Sequence, residues 1–137
     1  MYITLTKKRL FVILCAAVAV FLCLTQFISV KAEGVKLSTN AQRVEYIKTL
    51  GVTLISDEYT KKNIVIPQDF NDVYSKYNRL QKSAGFDLSN YRGKTVTVYT
   101  YNCEQDKAVS LMIFENRLIG GDVAETKLHG SMTALRR

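Results

Sequence analysis

The residues able to do nucleophilic or acid–base chemistry are few. A hydrolytic triad needs a nucleophile, a base and an orienting acid within hydrogen-bond reach, and the chain has one histidine, His129, and three cysteines, Cys15, Cys23 and Cys103. Cys15 and Cys23 lie inside an apolar run, so Cys103 with His129 is the only remaining thiol and imidazole pair. No spacing brings these two together, and Cys103 falls on an expected strand beside tyrosines, where it reads as a buried thiol. Metal-ligand patterns are equally thin: there is no CxxC, HxxxH or EF-hand spacing. Asp57-Glu58 reads as a turn, and Asp69 with Asp72 as the start of a helix. Gly120-Gly121 follows a strand, as phosphate cradles do, but the third glycine and the lysine of a P-loop are missing. The pair therefore reads as a β-bulge, and Asp122 beside it either caps a turn or contacts a ligand. No enzymatic chemistry, cofactor or metal is expected.

Binding is the better-supported class. Tyr99 and Tyr101, with Thr95 and Thr97, fall on one face of a strand. Either a helix covers that face or it is an open binding surface, for which tyrosine supplies contact area at low entropic cost. The turn Tyr91-Arg92-Gly93-Lys94 and the Gly120–Asp122 loop complete the candidate interaction surface: Tyr91, Arg92, Tyr99, Tyr101, Gly120, Gly121 and Asp122. Tyr74 and Tyr77 share a helix face with Leu80 and read as core with their hydroxyls at the rim. Lys31, Lys36, Arg43, Lys61 and Lys62 give a weak attraction to anionic lipid or envelope polymers, a pattern that ordinary solvated surface also produces. Nucleic acid is not an expected partner, because the basic residues are interleaved with acidic ones rather than concentrated in a footprint.

These residues must be positioned by a small domain. The chain has 137 residues, 47% hydrophobic and 23% charged, with 19 basic and 12 acidic side chains. That composition excludes a disordered chain, a disulfide framework and a multidomain enzyme. Leu10 to Val30 is 21 residues without a charge, preceded by Lys7, Lys8 and Arg9. At 1.5 Å per helical residue it would span roughly 30 Å, the thickness of a hydrocarbon core. The basic leader favours a cytoplasmic amino terminus and an extracytoplasmic remainder, which keeps 16 basic against 12 acidic residues, a net charge of +4. Two processing routes fit the same residues: a retained signal anchor, or a secretory signal peptide cut after Ala32. The apolar run exceeds the 7 to 15 residues usual for a cleaved signal, which favours the anchor.

Beyond a tether over 31–38, Thr39 and Gln42 form a capping-box pattern ahead of Val44, Ile47 and Leu50 at helical spacing, with Gly51 as the stop. Val52–Ile55 and Asn63–Ile66 read as two short strands. Pro67 introduces the longest helix, with Phe70, Val73, Tyr74, Tyr77, Leu80 and Ala84 on one face and Gly85 ending it. Asp69 and Asp72 are expected in its first turn, where the helix dipole favours them. Lys94–Cys103 alternates as a strand, Val109–Phe114 is a nearly continuous apolar run suited to a central strand, and Glu115-Asn116-Arg117 turns into a hairpin partner from Leu118. The order helix, two strands, helix, three strands predicts an α+β domain, two helices packed on one face of an antiparallel sheet of about five strands.

Read together, IPQDFNDVYSKYNRLQKSAGFDLSNYRGK, VTVYTYN, and NRLIGGDV followed by LHGSM resemble the domain-of-unknown-function family numbered 4830. The resemblance covers roughly Ala41 to Leu135 and is most specific at Gly85–Leu88, Tyr91–Lys94 and Ile119–Val123; His129 stands where the family pattern has an acidic or polar residue. It implies a small membrane-anchored or secreted protein of Firmicutes or related bacteria with an α+β domain, and it implies no reaction. The expected organisation is a cytoplasmic basic leader at 1–9, a transmembrane signal anchor at 10–30, the tether at 31–38 and an extracytoplasmic domain at 39–137. The expected function is non-enzymatic binding of a protein or ligand of the bacterial cell envelope, with the bilayer as partner of residues 10–30. The alternative is a small secreted enzyme or enzyme inhibitor released by cleavage after Ala32.

Overall fold

The computed structural model describes residues 7–8, 12–13, 15–16 and 34–135. Contacts divide the chain into Met1–Glu33 and Gly34–Arg137. In the first unit, Lys7, Lys8, Val12, Ile13, Cys15 and Ala16 are helical; the rest of the apolar run 10–30, on which the membrane-span expectation rests, lies outside the described residues. Among the described residues no helix is long and apolar enough to cross a membrane.

The second unit contains helix α1 (Asn40–Lys48), strand β1 (Thr60–Val65), helix α2 (Asp72–Ser83), a 3-10 turn (Leu88–Tyr91) and strands β2 (Thr95–Cys103), β3 (Lys107–Phe114), β4 (Arg117–Glu125) and β5 (Met132–Ala134). The strands form one antiparallel sheet in sequence order, β1-β2-β3-β4-β5. Helix and sheet content agree with the expected α+β class, but the helices do not share a face. Successive side chains of a strand point to opposite sides, and both sides of β2 and β3 are apolar. Val44, Tyr46 and Ile47 of α1 pack with Tyr101, Cys103, Val109, Leu111 and Ile113. Phe70, Tyr74 and Tyr77, on and before α2, pack with Val96, Val98, Met112 and Ile119. A run such as VSLMIF cannot be half solvated, so each face of the central strands carries its own helix.

Local signals explain most of the elements. The Thr39 side chain accepts the Gln42 backbone N–H while the Gln42 side chain accepts the Thr39 N–H, completing the capping box of α1, a feature whose loss costs about 1 kcal/mol. Asn71 caps α2 by accepting the Tyr74 N–H at 2.8 Å, so Asp72 lies in the first turn and Asp69 precedes the helix. Val73, expected on the buried face, is 77% exposed. Asn78 and Gln81 are buried in its stead, because backbone groups of the Leu88 turn and of β4 need their amides. Glu115 and Asn116 both take positive φ, 48° and 64°, the two-residue hairpin turn whose twist matches its strands.

Three further expectations are corrected. Val52–Ile55 is not a strand of its own: Leu54 makes a single bridge to Cys103, and β1 then resumes along the same side of β2. The two expected strands are one edge line, interrupted by the polar Ser56–Tyr59 loop. The fifth strand comes from Met132–Ala134, which was not expected. Finally, residues 34–38 are not a loose tether. Leu37 is buried, and Leu37 N–H donates to the Asn116 carbonyl while Leu118 N–H donates to Val35. The outer side of β4 is thus covered by 35–37 at one end and β5 at the other. Among the described residues β1 has β2 on one side and no strand on the other.

Candidate functional site

The most unusual chemical grouping lies where α1 crosses β2. Arg43 belongs to the apolar face of α1, three residues before Tyr46 and four before Ile47, and is 4% exposed. Its Nε donates to the Tyr101 hydroxyl at 2.8 Å and its Nη1 to the Leu37 carbonyl at 3.4 Å. The Tyr101 hydroxyl in turn donates to Asn40 Oδ1 at 2.7 Å. The guanidinium carbon sits 3.8 Å from the centre of the Tyr99 ring and 5.2 Å from that of Tyr59, so the cation is walled by aromatic faces of favourable quadrupole. Lys61 Nζ stands 6.0 Å from the same Tyr99 ring.

The Ser56–Tyr59 interruption builds one wall of this site. Glu58 N–H donates to Ser56 Oγ, and Asn40 Nδ2 reaches the Asp57 carbonyl at 3.1 Å, tying the loop to the first turn of α1. The loop delivers Tyr59 against Tyr99 and Tyr101, with ring centroids 5.4 and 5.6 Å apart. Tyr59 remains 43% exposed. On the same sheet face, beyond the cover of α1, Lys61, Asn63, Val65 and Thr95 are exposed while Thr97 and Tyr99 are half-buried. Asn63 and Thr97 are joined by a 3.0 Å hydrogen bond. The tyrosine strand is thus divided: Tyr101 is under a helix and Tyr99 borders open surface. Burial pushes the Tyr101 hydroxyl above its ordinary pKa, against the opposing pull of Arg43.

A second polar cluster lies between α2 and the other sheet face. The Tyr77 hydroxyl donates to Asp122 Oδ2 at 2.7 Å. Asp122 is 7% exposed, and burial raises its pKa against the lowering effect of that bond; burial, then the Asp122 charge, raises Tyr77. Gln81 Oε1 accepts the Gly121 N–H at 2.9 Å, while Gln81 Nε2 and the Tyr74 hydroxyl are buried without a partner among the described residues. The glycine pair permits this approach: a Cβ at Gly120 would stand 2.9 Å from Gln81 Oε1 and 3.1 Å from Leu88 Cδ2. The register shift expected at Gly120-Gly121 is centred one residue earlier, on Ile119, because Met112 pairs with Gly120 and Ile113 with Leu118. This cluster fastens α2 to β4 inside the protein.

The expected interaction residues accordingly separate. Tyr101, Gly120, Gly121 and Asp122 are buried, Tyr101 beneath α1 and the other three beneath α2. Tyr91 is half-buried against Phe114, 5.5 Å between ring centroids. Arg92 is exposed, lies 4.2 Å above the Phe70 ring and donates to the Gln68 carbonyl. Only Tyr99 borders the open patch. Cys103 is 2% exposed, and burial pushes its thiol above the ordinary range, which keeps it protonated. His129 is exposed in a positive-φ turn. No group of three or more His, Cys, Asp or Glu among the described residues could hold a metal ion. Tyr59 had no signal as a site residue, and Lys61 appeared only among scattered surface charges. Arg43 did have one, its position between Val44, Ile47 and the capping box on the face that α1 buries.

One comparison with known proteins adds to this geometry. The family model described as Domain of unknown function (DUF4830) matches residues 46–123, more than half of the chain. The match runs from the last turn of α1 into β4; it takes in Tyr59, Lys61, Tyr99 and Tyr101 and stops short of Arg43, and it leaves the LHGSM segment outside. No curated protein and no solved structure matches the chain.

Proposed function

The chain belongs to the DUF4830 family, a domain of unknown function, and we propose that it is a membrane-anchored extracytoplasmic domain that binds a protein or ligand of the cell envelope without chemical turnover. The observation that carries this reading is the open patch beside α1, where Tyr59 and Tyr99 stand at the surface with a buried cation behind them. Rigid aromatic side chains against a fixed positive group make a recognition surface: they offer large contact area and orientation without costly side-chain ordering. The uncharged run 10–30 behind a basic leader supports the anchor. The binding surface is Tyr59, Lys61 and Tyr99, in place of the wider set expected from sequence. Tyr101 supports it from below.

Fractionation tests the placement. Full-length protein is expected in the membrane fraction, with protease treatment of intact cells removing residues beyond 33. Complete protection in intact cells with digestion only after lysis would overturn the extracytoplasmic assignment, and a soluble product beginning at Glu33 would replace the anchor by secretion.

A further inference from the structure

A groove of about 500 Å³ opens away from the tyrosine patch, where the chain leaves α1 beside β3, β4 and β5. Gly51 takes a φ of +74° and turns the chain out of the helix, and the Glu104 N–H donates to the Thr53 carbonyl at 2.9 Å, tying this turn to the connection between β2 and β3. Leu50 and Val52 from the turn, Leu80 from α2, Val123 from β4 and Met132 and Ala134 from β5 supply the apolar wall. Of these only Ala134 is buried; Met132 is 49% exposed and the others are half-buried. The volume falls within the roughly 300 to 1,000 Å³ of small-molecule sites, which combine an apolar lining with a few placed polar groups.

The groove has one charged residue in its lining, Lys107. Val109 pairs with Val123 and packs with the apolar residues of α1, so Lys107, two residues earlier on β3, lies on the same side of the sheet. Two smaller chambers, of about 70 and 140 Å³, adjoin the groove here: the first shares Gly51, Val52 and Lys107 with it, the second Lys107, Val123 and Thr133. Leu50, Leu80, Met132 and Ala134 line neither chamber, so the groove is polar at one end and apolar at the other. Two carboxylates stand in the chambers and not in the groove, Glu104 in the smaller and Glu125 in the larger. Glu125 accepts the Ser131 N–H at 3.1 Å and pairs with Lys127 at 3.7 Å, and among the described residues no ion pair is made by Lys107. Its Nζ has a long contact, 3.4 Å, to Gln105 Oε1.

We propose that this groove binds a single-chain fatty acid, with the carboxylate at Lys107 and the hydrocarbon tail along Leu50, Leu80 and Met132. A lone ammonium at the polar end of an apolar cleft is complementary to a molecule with one negative charge at the end of a hydrocarbon chain, and lysine, a point charge on a flexible stem, suits so small a headgroup. The Thr133 hydroxyl lines the same end and is available to the second carboxylate oxygen. The tail covers apolar side chains that the domain leaves open. The groove shares no residue with the Tyr59, Lys61 and Tyr99 surface, so it stands or falls separately from the binding role proposed for that surface.

The chain has three methionines, Met1, Met112 and Met132. Met132 lines the groove, whereas Met112 is buried on the α2 side of the sheet. The full-length protein, labelled with 13C at its methionine methyl groups and held in phosphatidylcholine nanodiscs, therefore carries its own control. Titration with decanoate is expected to shift the Met132 methyl resonance to saturation and to leave that of Met112 in place. Lys107→Gln is expected to weaken decanoate at least about threefold and to leave decan-1-ol unchanged; parent and variant face the same bilayer, so partition of the ligand into lipid cancels. Should the variant fail to fold, the parent protein supplies the same test, because decanoate is expected to bind more tightly than decylammonium. Equal loss of decan-1-ol in Lys107→Gln, or tighter binding of decylammonium, would overturn the carboxylate assignment. A shift that does not saturate, joint movement of Met112 and Met132, or a Met132 shift that follows protein concentration instead of ligand, the mark of a second copy in the groove, would overturn the site.

Discussion

Replacing Gly121 by alanine is expected to destabilise the domain by about 3 kcal/mol or more, a large share of the roughly 5 to 15 kcal/mol that holds a domain of this size together. Two effects add. Gly121 has a φ of +153°, a conformation that side chains with a Cβ adopt only under strain. A Cβ there would also overlap the Ser110 backbone carbonyl and stand 2.8 Å from Leu135 Cδ1. The carbonyl belongs to the neighbouring strand, paired with β4 in register, and cannot withdraw without opening the ladder. Gly51 supplies the control. It too has positive φ, +74°, but a Cβ there would meet nothing within 4 Å, so Gly51→Ala is expected to cost only the backbone term, about 1 to 2 kcal/mol. Denaturant unfolding of both variants separates the terms. Equal losses would contradict the close approach of β3 and β4 at Gly121.

The second large effect concerns Tyr77 and is a function of pH. Tyr77→Phe removes the hydrogen-bond donor of a buried carboxylate and is expected to cost about 2 to 3 kcal/mol at neutral pH. Asp122 is raised from its ordinary value of 3.8 by burial, with the Tyr77 bond pulling the other way. A raised carboxyl binds its proton more tightly in the folded state, so its contribution to stability is complete below the ordinary value and is lost as pH rises through the folded one. Losing Tyr77 raises the folded value further, so more stability disappears on going from acid to neutral pH than in the parent protein. The variant is thus expected to approach the parent near the ordinary aspartate value and to fall furthest behind it at neutral pH. Asp122→Asn, which has no charge to bury, is expected to flatten the pH dependence. A Tyr77→Phe penalty that is constant with pH would show that Asp122 is not the group involved.

Much of this architecture is legible from local chemistry. The capping box at Thr39 and Gln42, the stop at Gly85 and the nearly continuous apolar run of β3 each depend on residues close in sequence, and each is where it was expected. The elements that differ depend on partners far away. Leu54 has the composition of a strand residue but only one bridge to make, because Ser56, Asp57 and Glu58 break the line before β1. Gly120-Gly121 carries the composition of a bulge, and its main service is to let Gln81, about 40 residues earlier in the chain, reach the backbone of β4.

The site divides in the same way. Alternation along β2 placed Tyr99 and Tyr101 on one face, yet alternation says nothing of where a covering helix stops. That boundary, falling between these two residues, decides which of them a ligand can touch. Arg43 was counted among surface charges because its side-chain type is almost always solvated. Its burial depends on a tyrosine 58 positions away that accepts its Nε–H and on a loop that swings Tyr59 into contact.

The most direct test of the binding surface is site-specific photocrosslinking in intact cells, with a photoreactive residue at Tyr59 and, as control, at Val73, which is 77% exposed on the helix covering the opposite sheet face. The account predicts a discrete crosslinked partner from position 59, lost on Arg43→Lys, and none from position 73. Crosslinks from position 73 alone, or the same partner from both positions with no dependence on Arg43, would contradict it.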